Sequence, residues 1–271
     1  MTKRTLVYFS VDAKQLPFAI VALSVLKELT SSNKYGLIFT GKLNKTDRQL
    51  VKENFDLYYE AEELNNVLID SHISAAAYLR YDVFSIWKNF DAYLYMDADT
   101  LAINSIDIIF EQYKHCSLCM VREHSLIKLP IQRKFQFTNY YNTGVILMKS
   151  SFLKQFNFQD FLAFHNENIN LIKFHDQCTF NAYLFNKGMD VYDLNTKYNY
   201  LSKNFLRSHD KVDPVIIHFN ALLGKPWQFF CIHPMRNVWR RWSQKVFSKS
   251  IWELGSLLNF RGILKNVLYQ D

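Results

Sequence analysis

The chain has 271 residues, of which 49% are hydrophobic and 21% charged, with few glycines (7) and prolines (5) and a net charge of +7. That balance is globular and excludes collagen-like, low-complexity and small disulfide-stapled classes. No apolar stretch reaches the roughly 20 residues of a membrane-spanning helix. Met1-Thr2-Lys3-Arg4 passes directly into Leu6-Val7-Tyr8-Phe9, which is too short for a secretory leader and lacks a small-residue cleavage site, so a cytoplasmic chain opening on a strand is expected. Cys116 and Cys119 have Cys-x-x-Cys spacing but no second pair. With Cys178 and Cys231 isolated, the four cysteines read as buried thiols rather than zinc or redox ligands.

In chain order, residues 6–11 read as a strand, 18–29 as a helix, 35–40 as a strand and 45–54 as a helix. A longer helix is expected over 75–87, then strands over 93–96, 117–121 and 142–148. Helices over 152–165 and 176–186 and a short strand over 215–218 follow. This alternation predicts an α/β sheet flanked by helices. No Pro/Gly-rich linker or repeat divides it, so 1–227 is expected to be one catalytic domain and 228–271 a separate tail. The chain has no glycine before Gly36 and no Gly-x-Gly-x-x-Gly or Walker sequence. A bound nucleotide would therefore be held by side chains and a metal.

The most informative run is Tyr93-Leu-Tyr-Met-Asp97-Ala98-Asp99, a β-prone apolar stretch ending in two aspartates one residue apart. Period-two alternation puts Asp97 and Asp99 on one side of a strand, and α/β sheets bind ligands beyond their strands' carboxyl ends. Paired carboxylates there suit Mg2+ or Mn2+, ions that commonly serve a phosphate. A bare Asp-x-Asp also occurs in solvated turns, and the apolar residues before it and the later segments separate the two readings.

Five further segments carry chemistry. Val7-Tyr-Phe-Ser10-Val-Asp12 is a strand ending in an aspartate, and His72-Ile73-Ser74-Ala-Ala-Ala-Tyr-Leu-Arg80 opens a helix. Tyr141-Asn142-Thr-Gly-Val-Ile-Leu-Met148 enters a strand, and His175-Asp176-Gln177-Cys-Thr-Phe-Asn181 starts a helix. Ile217-His218-Phe-Asn-Ala-Leu-Leu-Gly-Lys225-Pro-Trp227 leaves the last strand. Together, over about residues 5–227, they resemble glycosyltransferase family 8, the retaining group that includes glycogenin and bacterial lipopolysaccharide galactosyl- and glucosyltransferases. The His-Ile-Ser-x-x-x-Tyr-x-Arg stretch points to the lipopolysaccharide branch.

The resemblance implies a GT-A fold, a Rossmann-like mixed sheet of nucleotide-diphospho-sugar transferases. It implies Mn2+ (or Mg2+) held by Asp97, Asp99 and His218, and a UDP-galactose or UDP-glucose donor. Donor contacts would come from Ser10, Asp12, His72, Ile73, Ser74, Arg80, Asp97, Ala98, Asn142 and Lys225, with Asp176 and Gln177 at the reaction centre. The acceptor would be a lipopolysaccharide, lipooligosaccharide or similar glycan. Taken singly, His218 also fits a satisfied core histidine, Lys225 a solvated cation, Asp176 a helix N-cap and Asn142–Gly144 a turn. The chain departs from the family at Gln15, where a tyrosine is usual, at Cys178 in place of the second aspartate of Asp-Gln-Asp, and at Ala221 in a loop one residue longer than usual.

Residues 228–271 carry seven Lys/Arg against two acidic residues, a net +5 of the chain's +7. On a helical wheel Val238, Trp239, Trp242 and Val246 face away from Arg236, Arg240, Arg241 and Lys245. That composition suits either an interfacial helix on the anionic cytoplasmic face of an inner membrane or a helix packed on the catalytic domain. Two other readings stay open. Met96-Asp97-Ala-Asp99-Thr100 fits the nucleophile motif of haloacid-dehalogenase-type phosphatases, with Asp210-x-x-Asp213 as the only second acidic pair. A non-catalytic sugar-nucleotide or membrane-surface binding protein would use the same tail. Nucleic-acid binding fits poorly, because the basic charge is confined to the tail and no recognition motif accompanies it.

Overall fold

The computed structural model describes residues 4–30, 33–62, 64, 67–68, 74–123, 128–207 and 212–247. The elements are β1 (Thr5–Val11), α1 (Leu16–Leu29), β2 (Lys34–Thr40), α2 (Lys45–Asn54), β3 (Leu57–Ala61), α3 (Ala76–Leu79), α4 (Val83–Ile86), β4 (Ala92–Met96), β5 (Thr100–Ala102) and α5 (Asp107–Gln112). They continue through β6 (Leu118–Arg122), α6 (Pro130–Phe135), β7 (Tyr141–Lys149), α7 (Ser150–Leu153), α8 (Phe158–Asn168), α9 (His175–Asn186), β8 (Tyr192–Asp193), β9 (Tyr200–Leu201), α10 (Asn204–Arg207), β10 (Ile216–His218) and α11 (Arg236–Phe247).

Seven strands form a mixed sheet in the order β3-β2-β1-β4-β7-β6-β8. β1, β2, β3 and β4 run parallel, and β7 is antiparallel to both β4 and β6. A small sheet, β5-β10-β9, follows from the end of β4. Helices cover both faces of the large sheet, so its central strands are apolar on both sides. On one face Val7, Phe9, Val11, Leu94 and Met96 pack under α1. On the other, Leu6, Tyr8, Tyr93 and Tyr95 meet Tyr78, Tyr81, Phe161 and Phe180. The alternation splits each strand between the two cores.

Two expected helices are interrupted. The 75–87 helix breaks into α3 and α4 around a tight 3-10 turn at Arg80–Asp82. No glycine or proline causes this; the Tyr8 hydroxyl donates to the Arg80 carbonyl at 2.6 Å, and Arg80 Nε donates to the Ala77 carbonyl at 2.7 Å. The 152–165 helix divides into α7 and α8, because Asn157 caps the latter by accepting the Asp160 N–H at 3.0 Å. Edge strand β3, with Tyr58 and Tyr59 exposed, and the three-residue β5 carry no periodic signal long enough to read.

The amphipathic helix of the tail is α11, and its apolar face lies on α1. Trp239 is fully buried, with its ring centroid 5.5 Å from that of Trp227 and 6.1 Å from that of Phe18. Of the two expected partners for this face, membrane or catalytic domain, the described part of the tail meets the catalytic domain, which presents matching aromatic surface. Residues 248–271 lie outside the described part. Cys119, Cys178 and Cys231 are buried free thiols, and Cys116 is half-buried. Among the described residues no helix is long and apolar enough to cross a membrane.

Candidate active site

The two aspartates converge through a turn rather than along a strand. β4 ends at Met96, and the Thr100 N–H and hydroxyl return to the Asp97 carbonyl at 3.1 and 2.7 Å. β10 pairs with β5 so that His218 lies opposite Thr100. This register brings one ligand atom each of Asp97, Asp99 and His218 within 4.8 Å of one another. His218 Nε2 stands 3.6 Å from Asp97 Oδ2 and 3.4 Å from Asp99 Oδ1.

His218 Nδ1 faces the Asn199 side-chain oxygen at 2.9 Å. The proton therefore belongs on Nδ1, and the Nε2 lone pair points at the carboxylates, the arrangement a metal-bound histidine requires. Asn199 is fully buried and donates from Nδ2 to Asn142 Oδ1 at 2.8 Å. Asn142 in turn donates to Gln177 Oε1 at 3.1 Å and to Glu123 Oε2 at 3.3 Å, and Glu123 pairs with Lys203 at 2.9 Å. A continuous hydrogen-bonded chain thus links the imidazole to the start of α9. Gly144 makes room for it, since a Cβ there would lie 2.1 Å from His218 Cε1 and 2.4 Å from Nδ1.

Arg80, buried beneath the pair, donates from Nη1 to Asp97 Oδ1 and to the Thr143 carbonyl, both at 2.9 Å. Its guanidinium lies 4.4 Å from the Tyr95 ring centroid, and the Tyr95 hydroxyl also reaches Asp97. Asp176 accepts the Tyr81 hydroxyl at 2.9 Å, 3.7 Å from Arg80 Nη2. Burial pushes the Asp176 carboxyl up, against the pull of Arg80. Asp176 does not cap α9; the preceding His175 takes a left-handed backbone (φ 43°), a conformation non-glycine residues adopt chiefly at constrained sites. Burial would also raise Asp99, but the cation of Lys225, in direct contact with it, outweighs burial and holds it below the usual carboxylate range.

These groups open onto a cleft of about 260 Å3 that gathers Ser10, Ser74, Arg80, Asp97, Ala98, Asp99, Asp176 and Lys225. Gln15 lines it where the resemblance would place a tyrosine, beside Phe18 and Trp227, whose rings stack at 3.7 Å. Asn142 and Gln177 join through the hydrogen bonds above. The Ser10 hydroxyl is spent on the Ala76 carbonyl at 2.7 Å. Asp12 does not line the cleft; its carboxylate accepts the Lys14 and Gln15 N–H groups at 2.9 and 3.0 Å and turns the chain into α1. His72 and Ile73 lie outside the described residues. Of the acidic pair a phosphatase would need, Asp213 is exposed and Asp210 lies outside the described residues.

The model of glycosyl transferase family 8 matches residues 7–231. The chain belongs to this family. A Haemophilus influenzae protein described as a candidate glycosyltransferase is 22% identical over 247 residues, covering 84% of this chain and 74% of its own. Among solved structures, the galactosyltransferase LgtC in complex with donor and acceptor sugar analogues superposes with a TM-score of 0.74 at 17% identity, covering 96% of this chain and 100% of LgtC. The glycosyltransferase GlyE of Streptococcus pneumoniae follows at 0.66 and 20%, covering 94% of this chain and 66% of its own. The mixed sheet is thus of the GT-A type, and the phosphatase reading falls.

The cluster of this family 8 glycosyltransferase suits a divalent cation. Two carboxylate oxygens and an unprotonated imidazole nitrogen form a donor set fitting Mn2+, and the bare Cα of Gly144 leaves the imidazole its place. Asn199, Glu123 and Tyr95 escaped the sequence reading. Asn199 had one signal, a lone amide between Tyr198 and Tyr200, both of which are buried.

Proposed function

We propose that this glycosyltransferase is a Mn2+-dependent retaining hexosyltransferase. It would move galactose or glucose from a UDP-sugar to a lipopolysaccharide, lipooligosaccharide or similar glycan acceptor. The observation that carries the reading is the Asp97–Asp99–His218 cluster, whose two carboxylates line a cleft that also presents Lys225. When bound, the ion supplies Lewis-acid stabilisation of the leaving diphosphate.

The chain's own residues divide the rest. Lys225 adds a cation for the same phosphates, reaching in from the loop after β10. Arg80 fixes Asp97 and, beside Asp176, keeps two neighbouring carboxylates from repelling one another. Asp176 is committed to Tyr81 and Arg80, and Gln177 is an uncharged amide whose oxygen accepts from Asn142 and the Thr143 N–H. Neither makes a strong nucleophile, which favours front-side displacement. The acceptor oxygen bonds to the anomeric carbon as the bond to UDP breaks, and the acceptor proton passes to the departing phosphate oxygen. Asp176 and Gln177 then act by orienting the sugar and by offering fixed dipoles to the developing positive charge.

Attachment to the cytoplasmic membrane face through the tail is part of the same proposal. It rests on the net +5 of 228–271 and on Phe229 and Ile232, exposed just before α11. UDP release from a panel of UDP-sugars, with Mn2+ or EDTA and with Asp97→Asn, tests the enzymatic reading. Metal-dependent turnover of one UDP-hexose, lost in the variant, is expected. Equal turnover in EDTA, or by Asp97→Asn, would refute it.

A further inference from the structure

Apart from the cleft over the carboxylates, a second one of about 280 Å3 opens between the segment after α6 and the C-terminal half of α9. Its walls are chemically mixed. Phe137 and Phe185 stand with ring centroids 5.5 Å apart, and Phe185 is 51% exposed, so a ring face is open to a ligand. Gln136, Thr138 and Asn139 add exposed amide and hydroxyl groups, and Asp190 adds one carboxylate. Among the described residues, no lysine or arginine lines it.

That combination selects a ligand class. A nucleotide or phosphate needs cations or helix N-terminal N–H groups, and among the described lining residues the only charge is negative. A purely apolar ligand would leave the amides and the carboxylate without partners when it excluded water. A neutral saccharide satisfies both sets. Its C–H face lies on an exposed aromatic ring, and its hydroxyls donate to and accept from the amides while donating to the carboxylate.

The position along α9 connects this cleft to the reaction centre. Gln177, Asn181 and Phe185 recur every four residues, so they follow one stripe of the helix. Eight residues at 1.5 Å each put Phe185 about 12 Å from Gln177 along the axis. Asn181 joins the two ends rigidly, donating to the Gln177 and Tyr141 carbonyls at 2.8 Å and accepting the Tyr141 N–H at 2.7 Å. The cleft therefore keeps a fixed distance from the active site.

We propose that the cleft at Phe137, Phe185 and Asp190 is a second carbohydrate site, which holds a neutral oligosaccharide portion of the acceptor glycan remote from the transferred hexose. It rests on the acceptor being a glycan. The test uses the full-length protein on an array of neutral hexose oligosaccharides two to six units long, in EDTA so that the donor side is silent. Parallel assays follow UDP-hexose hydrolysis in Mn2+. The wild-type protein should retain a subset of the longer saccharides, and Phe185→Ala and Asp190→Ala should each lower retention at least tenfold. Hydrolysis of the donor, which neither residue touches, should stay within twofold. Absence of retention by the wild-type protein, or unchanged retention by both variants, overturns the proposal. Phe185-dependent retention without any UDP-hexose hydrolysis would leave the carbohydrate site standing and overturn the donor reading instead.

Discussion

Gly144→Ala is the smallest change that should dismantle the metal site. The new methyl would stand 2.1 Å from His218 Cε1, 2.4 Å from Nδ1 and 3.0 Å from Asp97 Oδ2. Ordinary contact begins near 3.4 Å, so the ring must retreat by about 1.3 Å. The ring has little freedom to do so, because it is buried and tethered to Asn199. Metal–ligand distances tolerate about 0.2 Å, so a displacement of that size removes His218 as a ligand. The Mn2+ dissociation constant, read by electron paramagnetic resonance titration, should rise at least ~100-fold, no less than the upper end of losses from outer-shell changes. Overpacking should also cost about 1–3 kcal/mol, lowering the melting temperature in EDTA by roughly 2–12 °C. Adding His218→Ala removes the ring, so the double variant should recover most of that loss. Wild-type Mn2+ affinity in Gly144→Ala would refute the reasoning. So would a double variant whose stability losses simply add within ~0.5 kcal/mol, the mark of non-interacting sites.

Three other perturbations follow from the same contacts. Asn199→Leu strands the His218 Nδ1–H, while Asn142 Oδ1 keeps the Gly144 N–H at 3.0 Å, and should cost about 1–3 kcal/mol with a 10–100-fold drop in Mn2+ affinity; chemical denaturation and metal titration read the two separately. Arg80→Met leaves Asp97 and Asp176 without their shared cation, and a denaturation midpoint showing less than about 3 kcal/mol lost would argue that the ion pair is not buried as described. His233, packed against Phe205 and Phe219, is pulled by burial to about 4. The unfolded chain binds that proton near pH 6.5 and the native one does not, so stability is full above pH 6.5 and falls by about 3 kcal/mol on acidification to pH 4. His233→Phe should flatten that part of the pH–stability curve.

The metal cluster and its cleft were legible because each ligand sits at the end of an apolar run, where an ionisable residue stands out. Asp97 and Asp99 stand in the turn just beyond β4, His218 closes β10, and Arg80 ends an apolar turn. What escaped reading depends on tertiary partners. No glycine or proline breaks the helix at Arg80; its own guanidinium on the Ala77 carbonyl and a tyrosine hydroxyl more than seventy residues away accompany the break. Asn199 is one of many asparagines until β9 and β10 pair and bring it to His218. Asp12 follows β1 directly, and its carboxylate accepts the N–H groups of Lys14 and Gln15 in the turn before α1 opens at Leu16, a pairing the strand-ending position alone did not announce. The wheel of α11 separates polar from apolar correctly. It cannot say whether the apolar side meets lipid or protein, since both reward the same pattern.

The aromatic contact among Phe18, Trp227 and Trp239 also sets an order of assembly. α1 emerges early during synthesis, while Trp239 arrives more than two hundred residues later. Until then the face of α1 beneath α11 has no cover. Contacts of such long sequence separation are slow to form, and an uncovered apolar helix on a partly made chain invites chaperones or aggregation. Lys225 lies two residues before Trp227, in the loop that this contact pins. Its ammonium group is therefore among the last parts of the molecule to reach its working position.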